Sequence, residues 1–280
     1  MSWEKLIKEN QPLVITGTIN AYSALLAERA GIKAIYLSGG GVANASYGLP
    51  DLAMTSREDV LEDVRRIRSA SDLPLLVDID TGWGSALSIS RTIKEMISAG
   101  ASGVHIEDQV SEKRCGHRPN KEIVSCEEMI DRIKAAKDAQ TDDNFLLMAR
   151  TDAFAKGGLK EVIDRSNAFI EAGAGAIFPE AISTLKDYEE ISKNVPKPIL
   201  ANITEFGMTP LFSHNDLADA GVKIVLHPLS AFRAMSKAAE KVYATLAFDG
   251  DHEGLLGKMK TRDELYDVLY YHMYLSLIHI

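Results

Sequence analysis

Cysteine is scarce in this chain of 280 residues, which has two, Cys115 and Cys126. A chain of this length can bury a core large enough to fold without cross-links, whereas disulfide scaffolds are short and rich in cysteine. We therefore expect both thiols to be reduced, which leaves a cysteine available for chemistry.

An excess of basic residues is also absent, because 31 Lys and Arg stand against 40 Asp and Glu, for a net charge of −9. This balance argues against a protein that neutralises nucleic acid phosphates over a broad surface. No run approaches the ~18 apolar residues of a membrane span, and the first residues lack the basic and apolar regions of a signal peptide. The sequence thus predicts a cytoplasmic protein that binds neither nucleic acid nor membrane.

One short phrase recurs along the chain, Ala-Gly followed closely by a run of apolar residues. The glycine suits the left-handed end of a helix, and the apolar run is typical of a strand buried on both faces. The copies are Ala30-Gly31, Ala99-Gly100, Ala172-Gly173 and Ala220-Gly221. With the other apolar runs they predict eight strands, at 13–18, 34–37, 75–80, 103–107, 145–150, 176–180, 199–203 and 223–227. Apolar spacing of three and four residues predicts helices over 85–99, 127–139, 160–172 and 183–193.

Eight strands alternating with helices favour an α/β fold, a closed (β/α)₈ TIM-like barrel, over an open doubly wound sheet. The open sheet is the alternative, but no Gly-x-Gly-x-x-Gly turn follows the first strand. We predict a single barrel domain over residues 1–280 with a helical extension from about residue 231, as one helix to about Phe248 and another from Asp263 to Tyr274. The last helix either exchanges with a neighbouring subunit or caps its own barrel.

Polar residues follow the predicted strands at their carboxyl ends, where the catalytic groups of such a barrel lie. Asp78 and Asp80 are two residues apart, so on a regular strand their side chains point to the same face. With Glu107 from the next strand they form an all-oxygen set suited to Mg²⁺ or Mn²⁺ rather than to zinc. The alternative is that Asp80 only caps the following helix. The other polar strand ends are 38–41, 150–152, Glu180 and 202–205.

Two predicted loops are long for a barrel, at 40–56 after the second strand and 108–125 after the fourth. Basic surroundings lower the pKa of a thiol, so we predict that Cys115 in the second loop is catalytic, although a lone cysteine is more often a small buried apolar residue. Cys126 has ordinary surroundings and is predicted to be structural. The basic residues around Cys115 are Lys113, Arg114, His117, Arg118 and Lys121.

The strand ends also narrow the class of carbon–carbon chemistry. None of the predicted strands ends in lysine, which disfavours a Schiff-base aldolase. The alternative is a divalent metal that holds an α-oxy carboxylate while arginines such as Arg150 and Arg233 hold the remaining carboxylates. The turn Ser38-Gly39-Gly40-Gly41 lets backbone N–H groups approach an anion, although a flexible turn without a ligand would have the same sequence.

The segment Lys113-Arg114-Cys115-Gly116-His117 resembles the cysteine signature of the isocitrate lyase and phosphoenolpyruvate mutase superfamily. Further motifs extend the resemblance over nearly the whole chain, at 78–84, 104–109, 202–207 and 228–233. They are most similar to the branch that cleaves 2-methylisocitrate, since the large insertions of isocitrate lyases are absent. One departure is the apolar end of the chain at 275–280, where we expect a polar tail.

The resemblance implies a (β/α)₈ barrel that acts as a Mg²⁺-dependent carbon–carbon lyase. It implies cleavage of 2-methylisocitrate to pyruvate and succinate in the methylcitrate cycle of propionate catabolism. It also implies a homotetramer, built as a dimer of dimers that exchange their last helix. The alternatives are another activity of the superfamily, such as isocitrate lyase, oxaloacetate decarboxylase or a phosphonopyruvate-type mutase or hydrolase. From a different class, the alternative is a non-catalytic barrel that senses a metabolite.

The resemblance also implies roles for individual residues. Asp78, Asp80 and Glu107 would surround Mg²⁺ directly or through water, and Asp51 and His105 would support them. The residues implied to contact the tricarboxylate substrate are Ser38, Gly39, Gly40, Cys115, Gly116, Arg150, Glu180, Asn202, Thr204, Arg233 and Arg262. Those implied to form a pocket for the substrate methyl group are Phe178, Leu226 and Pro228.

Two residues are candidates for proton transfer. Cys115 would deliver a proton to the carbon of the succinate half after cleavage. Tyr36 lies two residues before Ser38 on the same strand face. It is our candidate for the base that takes the substrate's hydroxyl proton.

Overall fold

The computed structural model describes residues 2–111 and 121–278. Its centre is a parallel sheet of eight strands in the order β6-β5-β4-β3-β2-β1-β8-β7. The two outer strands of this order also meet, through a parallel bridge between Ile177 and Ile199, so the sheet is nearly closed into a barrel. This confirms the predicted (β/α)₈ fold. The strands are β1 (Leu13–Gly17), β2 (Ala34–Leu37), β3 (Leu75–Asp78), β4 (Gly103–Glu107), β5 (Leu146–Thr151), β6 (Ala176–Pro179), β7 (Leu200–Asn202) and β8 (Ile224–His227).

Helices follow the strands and surround the barrel. The segment α7 begins at Phe154 but is interrupted at Gly158, whose backbone is not helical at φ 65° and ψ −165°, so its long regular part lies beyond Gly158, where the sequence predicts a helix over 160–172. The helices are α1 (Trp3–Glu9), α2 (Ala21–Arg29), α3 (Gly39–Gly41), α4 (Arg57–Arg68), α5 (Ala86–Ser98), α6 (Cys126–Asp138), α7 (Phe154–Glu171), α8 (Leu185–Asn194), α9 (His214–Asp219), α10 (Ser230–Phe248), α11 (Arg262–Val268) and α12 (Tyr271–Leu277). A π-helical turn, Val42–Ser46, continues α3, and a 3₁₀ helix, Glu253–Lys258, lies between α10 and α11.

Two apolar layers hold these elements. The larger one lies between the sheet and the helices, and the smaller one fills the barrel interior, where Ile15, Leu76 and Met148 are fully buried. Trp3 of α1 belongs to the interior layer and donates a hydrogen bond from Nε1 to the Ser102 carbonyl at 2.8 Å. Because Ser102 directly precedes β4, α1 covers the amino ends of the strands. The opposite end, where the strands reach their carboxyl ends, is called the barrel mouth below.

The helical extension differs from its prediction in one respect. The helix expected from Asp263 to Tyr274 is two helices, because Tyr270 between them has a left-handed backbone with φ 54°. The extension contacts its own barrel where Arg29 of α2 donates to the Asp267 carbonyl at 2.8 Å. None of the 19 residues of α10 is buried. Exchange of the last helix between subunits stays a prediction, and none of the helices in the described ranges is long and apolar enough to cross a membrane.

Candidate active site at the barrel mouth

Asp78 is the last residue of β3 and organises the turns beside it. Its Oδ2 accepts a hydrogen bond from the Gly39 backbone N–H at 3.0 Å, and its Oδ1 accepts one from the Asp80 backbone N–H at 3.0 Å. A side chain at position 39 would be crowded, because a Cβ there would lie 3.0 Å from Asp80 Oδ1 and 3.2 Å from Asp78 Oδ2. The two carboxylates therefore converge on one point beside the backbone of α3.

This convergence does not arise as the sequence predicts. The strand expected to run to Asp80 ends at Asp78, and Asp80 lies in the following turn with φ 48°. Ala181 after β6 and Phe206 after β7 share this left-handed backbone, with φ 61° and 62°. Such backbone costs ~1–3 kcal/mol for a residue with a side chain, and it concentrates at functional sites.

Tyr36 and His105 connect Asp78 to the barrel interior. The Tyr36 hydroxyl lies 2.9 Å from His105 Nε2, and it donates to Asp78 Oδ2 at 3.4 Å. The two rings stack with their centroids 5.7 Å apart, and His105 Nε2 lies 3.4 Å from Asp78 Oδ1. Burial, followed by the charge of Asp78, raises the pKa of Tyr36 well above its usual value. Within the protein alone Tyr36 is thus a hydrogen-bond donor, and its role as the initial base stays a prediction.

Arg150 of β5 lies among three carboxylates at the mouth. Its guanidinium contacts Glu107 Oε2 at 3.2 Å, Asp152 Oδ2 at 2.9 Å and Glu180 Oε2 at 3.2 Å. Burial acts to lower the pKa of Arg150, but Asp152, Glu107 and Glu180 outweigh it and raise the pKa well above its usual value. The arginine is therefore held in one orientation. Glu107 thus lies beside Arg150, and its predicted role at a metal stays a prediction.

Sequence reasoning missed two residues that position Arg150. Asp152 binds the guanidinium with both carboxylate oxygens, and it also accepts a hydrogen bond from the ammonium group of Lys121. Both side chains of this second pair are buried, at 4% exposure for Lys121 and 0% for Asp152. Lys121 belongs to the loop predicted to carry the catalytic cysteine, so this pair connects the loop to the carboxylate that orients Arg150. Arg150 and Asp152 are two residues apart and so lie on one strand face, a spacing that could have indicated the contact between them.

We expect Asp152→Asn to lower the free energy of unfolding at neutral pH by about 3 kcal/mol, because it leaves Lys121 buried without its charge partner. Burial acts to raise the pKa of Asp152, but Arg150 and Lys121 outweigh it and lower the pKa. The carboxylate's contribution is therefore complete above the unfolded pKa of ~3.9 and is lost as pH falls through the lower native value.

Urea unfolding of wild type and Asp152→Asn, followed from pH 7 down to pH 3, measures this effect. The difference in free energy of unfolding between wild type and Asp152→Asn should become smaller as the pH approaches 3. Asp143→Asn is the matched control, since Asp143 is exposed. A variant as stable as wild type at pH 7 would contradict the assignment.

Glu180, Asn202 and Thr204 continue the mouth around β6 and β7, and all three are buried. The Asn202 side-chain amide donates to Glu180 Oε1 at 3.4 Å, and the backbone N–H of Ala181 donates to the same oxygen at 3.0 Å. These contacts place Glu180 between Arg150 and Asn202, so the structure brings together the predicted substrate residues of three strands.

The two other predicted arginines lie further out. Arg233 of α10 donates to the backbone carbonyl of Glu205, and it contacts that residue's Oε2 at 3.3 Å. Arg262 is exposed at the start of α11, a helix that packs against α2 on the outside of the barrel. The structure therefore does not bring Arg262 to the mouth, and its contact with substrate stays a prediction.

The remaining predicted residues lie around these groups. Ser38 precedes α3, and a Cβ at Gly40 would lie 3.1 Å from Asp51 Oδ2, which places Asp51 beside the glycine turn. Phe178 and Leu226 are both in the interior apolar layer, and the Phe178 ring contacts His105 edge-on and lies 5.2 Å from the Arg150 guanidinium. Pro228 follows β8, where its carbonyl occupies the space that a side chain at Gly17 would need. A methyl pocket at these residues stays a prediction.

Cys115 and Gly116 lie outside the described residues. The chain on either side of them is held close to the mouth. Gln109 and Ile123 form an antiparallel bridge, and the Val124 N–H donates to the Asp108 carbonyl at 2.8 Å. The described residues on the two sides of Cys115 therefore lie next to each other, directly after the end of β4.

Comparison with known proteins identifies the family to which this barrel belongs. The model of the phosphoenolpyruvate phosphomutase family matches residues 3–247 of the chain. The chain belongs to that family. This confirms the superfamily inferred from the cysteine signature.

Several relatives of this phosphoenolpyruvate phosphomutase family member are named 2-methylisocitrate lyase. The one from Vibrio cholerae is 60% identical over 274 residues, which cover 96% of this chain and 89% of the relative. The one from Escherichia coli is 58% identical over 270 residues, which cover 96% and 91%.

Solved structures of the superfamily share the fold at lower identity. A 2,3-dimethylmalate lyase, described as a PEP mutase/isocitrate lyase superfamily member, has a TM-score of 0.90 at 29% identity and covers 98% of this chain and 92% of its own. A phosphonopyruvate hydrolase in complex with oxalate and Mg²⁺ has a TM-score of 0.86 at 29% identity, covering 97% and 95%. The fold alone is therefore shared by enzymes of different activities.

Proposed function

We propose that this protein is a Mg²⁺-dependent lyase that cleaves the carbon–carbon bond of 2-methylisocitrate to give pyruvate and succinate. The similarity to four bacterial 2-methylisocitrate lyases, at 57–60% identity over nearly the whole chain, is the observation that carries this proposal. Solved relatives with other activities are 26–29% identical. The buried carboxylates and arginine at the mouth favour an enzyme over a barrel that only senses a metabolite.

The residues of the mouth fit a hard divalent cation. Asp78 and Asp80 offer oxygens that converge beside Gly39. Mg²⁺ is usually held by one or two carboxylates and keeps several waters, which agrees with two aspartates rather than a complete protein cage. When bound there, the cation offsets the negative charge that develops on substrate oxygens as the carbon–carbon bond breaks. Mn²⁺ would serve in the same way.

The protein's own groups bind and orient the substrate. Arg150 presents a guanidinium whose direction is fixed by Asp152 and Glu180, so it can hold a substrate carboxylate without reorganising. Asn202, which contacts Glu180, and Thr204 provide polar groups at the end of β7. Tyr36 and His105 form a buried hydrogen-bonded pair at Asp78 that can hold or move the proton of a hydroxyl placed there.

The biological setting follows from the proposed reaction. Cleavage of 2-methylisocitrate would place the protein in the methylcitrate cycle of propionate catabolism, in the cytoplasm. We also propose a homotetramer in which pairs of subunits exchange their last helix. Exposed apolar side chains along α10, including Tyr243 at 70% and Phe248 at 88% exposure, support a subunit contact there.

The test is a comparison of kcat/KM for four substrates with the purified Mg²⁺-loaded enzyme. They are 2-methylisocitrate, isocitrate, oxaloacetate and phosphonopyruvate. We expect kcat/KM for 2-methylisocitrate to exceed that for isocitrate by ~10-fold or more, since one methyl group in an apolar pocket is worth ~1–3 kcal/mol. Equal or better cleavage of isocitrate, or turnover of only the last two substrates, would overturn the proposal.

Leu226→Phe tests the predicted methyl pocket. The side chain lies in the interior layer with Phe178, so a larger ring would fill space on the substrate side of the barrel. We expect kcat/KM for 2-methylisocitrate to fall by ~10-fold or more, and to fall further than kcat/KM for isocitrate, which needs less room. An equal loss for both substrates would show that Leu226 acts only through barrel packing.

A further inference from the structure

Asp108 is a buried carboxylate that the proposed reaction does not use. It directly follows Glu107, the last residue of β4, and it is fully buried. Side chains alternate along a strand, and Val104 and Ile106 belong to the apolar layer between the sheet and the helices. Asp108 continues this alternation and faces the same outer layer, whereas Glu107 faces the mouth. A carboxylate in such surroundings is costly unless its oxygens are bound, so its partners indicate its role.

The partners of Asp108 include three consecutive residues of the neighbouring strand end. Its Oδ1 accepts a hydrogen bond from the backbone N–H of Asp152 at 2.9 Å, and its Oδ2 accepts one from the Thr151 hydroxyl at 2.7 Å. Its own backbone N–H donates to the Arg150 carbonyl at 3.2 Å. Because side chains alternate, Thr151 faces outward and Arg150 faces inward, where Asp152 binds its guanidinium. Asp108 therefore holds, from the outer side, the segment that carries the arginine and its carboxylate partner.

Arg165 of α7 binds Asp108 from the helix side. Its Nη1 lies 3.1 Å from Asp108 Oδ2, and the arginine is itself buried, at 7% exposure. Its Nε donates to Glu161 Oε1 at 2.7 Å, and its Nη2 donates to the Val124 carbonyl at 3.0 Å. Each of the three guanidinium nitrogens thus makes a contact, and the planar group is fixed in one direction. The Asp108 carboxylate is therefore fixed as well.

We propose that Asp108 and Arg165 are positioning residues for Arg150, the arginine that holds a substrate carboxylate in the proposed function. Arg165 fixes the Asp108 carboxylate, and Asp108 fixes the chain at Thr151 and Asp152. Asp152 in turn orients the Arg150 guanidinium. Both positioning residues act from the outer layer. A shift of ~1 Å in a group that positions substrate can lower the rate ~10²-fold, even when its cause lies far from the reacting atoms.

The inference rests on the proposed function only in that Arg150 binds the substrate. The test therefore uses the substrate that wild type turns over best among the four named above. Turnover of another substrate would overturn the proposed function and leave this inference open to the same measurement.

The first measurement is kcat/KM of Arg165→Lys and Thr151→Val. Lysine keeps the charge but cannot reach three acceptors at once. Thr151→Val removes only the hydroxyl bound to Asp108 and keeps the branched shape, so it tests the network even where Arg165→Lys does not fold. We expect kcat/KM to fall at least ~10-fold in Arg165→Lys and at least ~3-fold in Thr151→Val.

Arg68→Lys is the matched control. Arg68 of α4 also donates to two backbone carbonyls, those of Ser71 and Leu73, but these precede β3 at the opposite end of the barrel. A loss of such contacts there should leave kcat/KM at the wild-type value.

A double-mutant cycle separates an effect through Arg150 from a loss of packing. Arg150→Lys keeps the charge but removes the guanidinium that the network is proposed to orient. In that background we expect Arg165→Lys and Thr151→Val to lower kcat/KM by less than ~2-fold, because the oriented group is already gone. A packing defect would cause the same loss with and without Arg150.

Hydrogen exchange tests the backbone step without turnover. The Asp152 N–H should exchange at least ~10-fold faster in Arg165→Lys than in wild type, because its acceptor is no longer fixed, while the amides of β1 should exchange as in wild type. Mass spectrometry of peptides over 150–153 measures the rate. Wild-type kcat/KM in both variants, equal losses in the Arg150→Lys background, or unchanged exchange at Asp152 would each overturn the proposal and leave Asp108 and Arg165 as a structural ion pair.

Discussion

Removal of divalent cations should abolish turnover of 2-methylisocitrate, and Mg²⁺ or Mn²⁺ should restore it better than Zn²⁺. The physical reason is the charge of the mouth. Asp78, Asp80 and Glu107 are all buried there, and the substrate would add three more carboxylates. Arg150 cannot balance this charge alone, because it already contacts three carboxylates of the protein. Without a cation, repulsion should prevent the substrate from binding in a reactive position.

The measurement is the steady-state rate after exhaustive EDTA treatment and gel filtration, followed by titration with each metal. Asp80→Asn should then need at least ~10-fold more Mg²⁺ for half-maximal rate, since one of two converging carboxylates is lost. The exposed Asp143→Asn should titrate as wild type does. An enzyme that keeps its full rate after chelation would contradict the assignment of Asp78 and Asp80 to a cation.

The barrel could be predicted from sequence because its strands are buried on both faces. Such strands form short apolar runs after Ala-Gly helix ends, and β4 and β2 have the predicted bounds. The break between α11 and α12 could not be predicted. It occurs at Tyr270, whose left-handed backbone has no glycine or proline signal, and apolar residues continue through it. At Gly158, by contrast, the glycine does mark a break, because its backbone there is not helical.

The sequence predicts those parts of the candidate site that follow from the barrel topology. In a parallel barrel the carboxyl ends of strands meet, so Asp78, Arg150, Glu180 and Asn202 were expected together. Contacts across long sequence separations were not predictable. Lys121 reaches Asp152 from a loop 31 residues away, and His214 meets His227 across the turn from α9 to β8. These contacts depend on how loops return to the barrel, which spacing within one strand does not encode.

Cys115→Ser should lower kcat for 2-methylisocitrate by at least ~10²-fold while KM stays close to that of wild type. Cleavage leaves the succinate half as a carbanion-like species that needs a proton on carbon, and a hydroxyl is a far weaker acid than a thiol with a pKa of ~8.5. The described residues on the two sides of Cys115 meet in the bridge between Gln109 and Ile123, and Lys121 contacts the Asp152 that orients Arg150. We therefore predict that the Cys115 thiol reaches the substrate.

Cys126→Ser is the matched control, because Cys126 is the first residue of α6 and burial raises the pKa of its thiol. It should keep the wild-type kcat. The pH profile separates chemistry from structure, since loss of the Cys115 thiol should remove an ionisation from the dependence of kcat on pH, whereas a packing defect would lower kcat equally at every pH. If Cys115→Ser keeps more than half of the wild-type rate, Cys115 is not the proton donor, and the acid must be sought among the described residues at the mouth, where Tyr36 and His105 both contact Asp78.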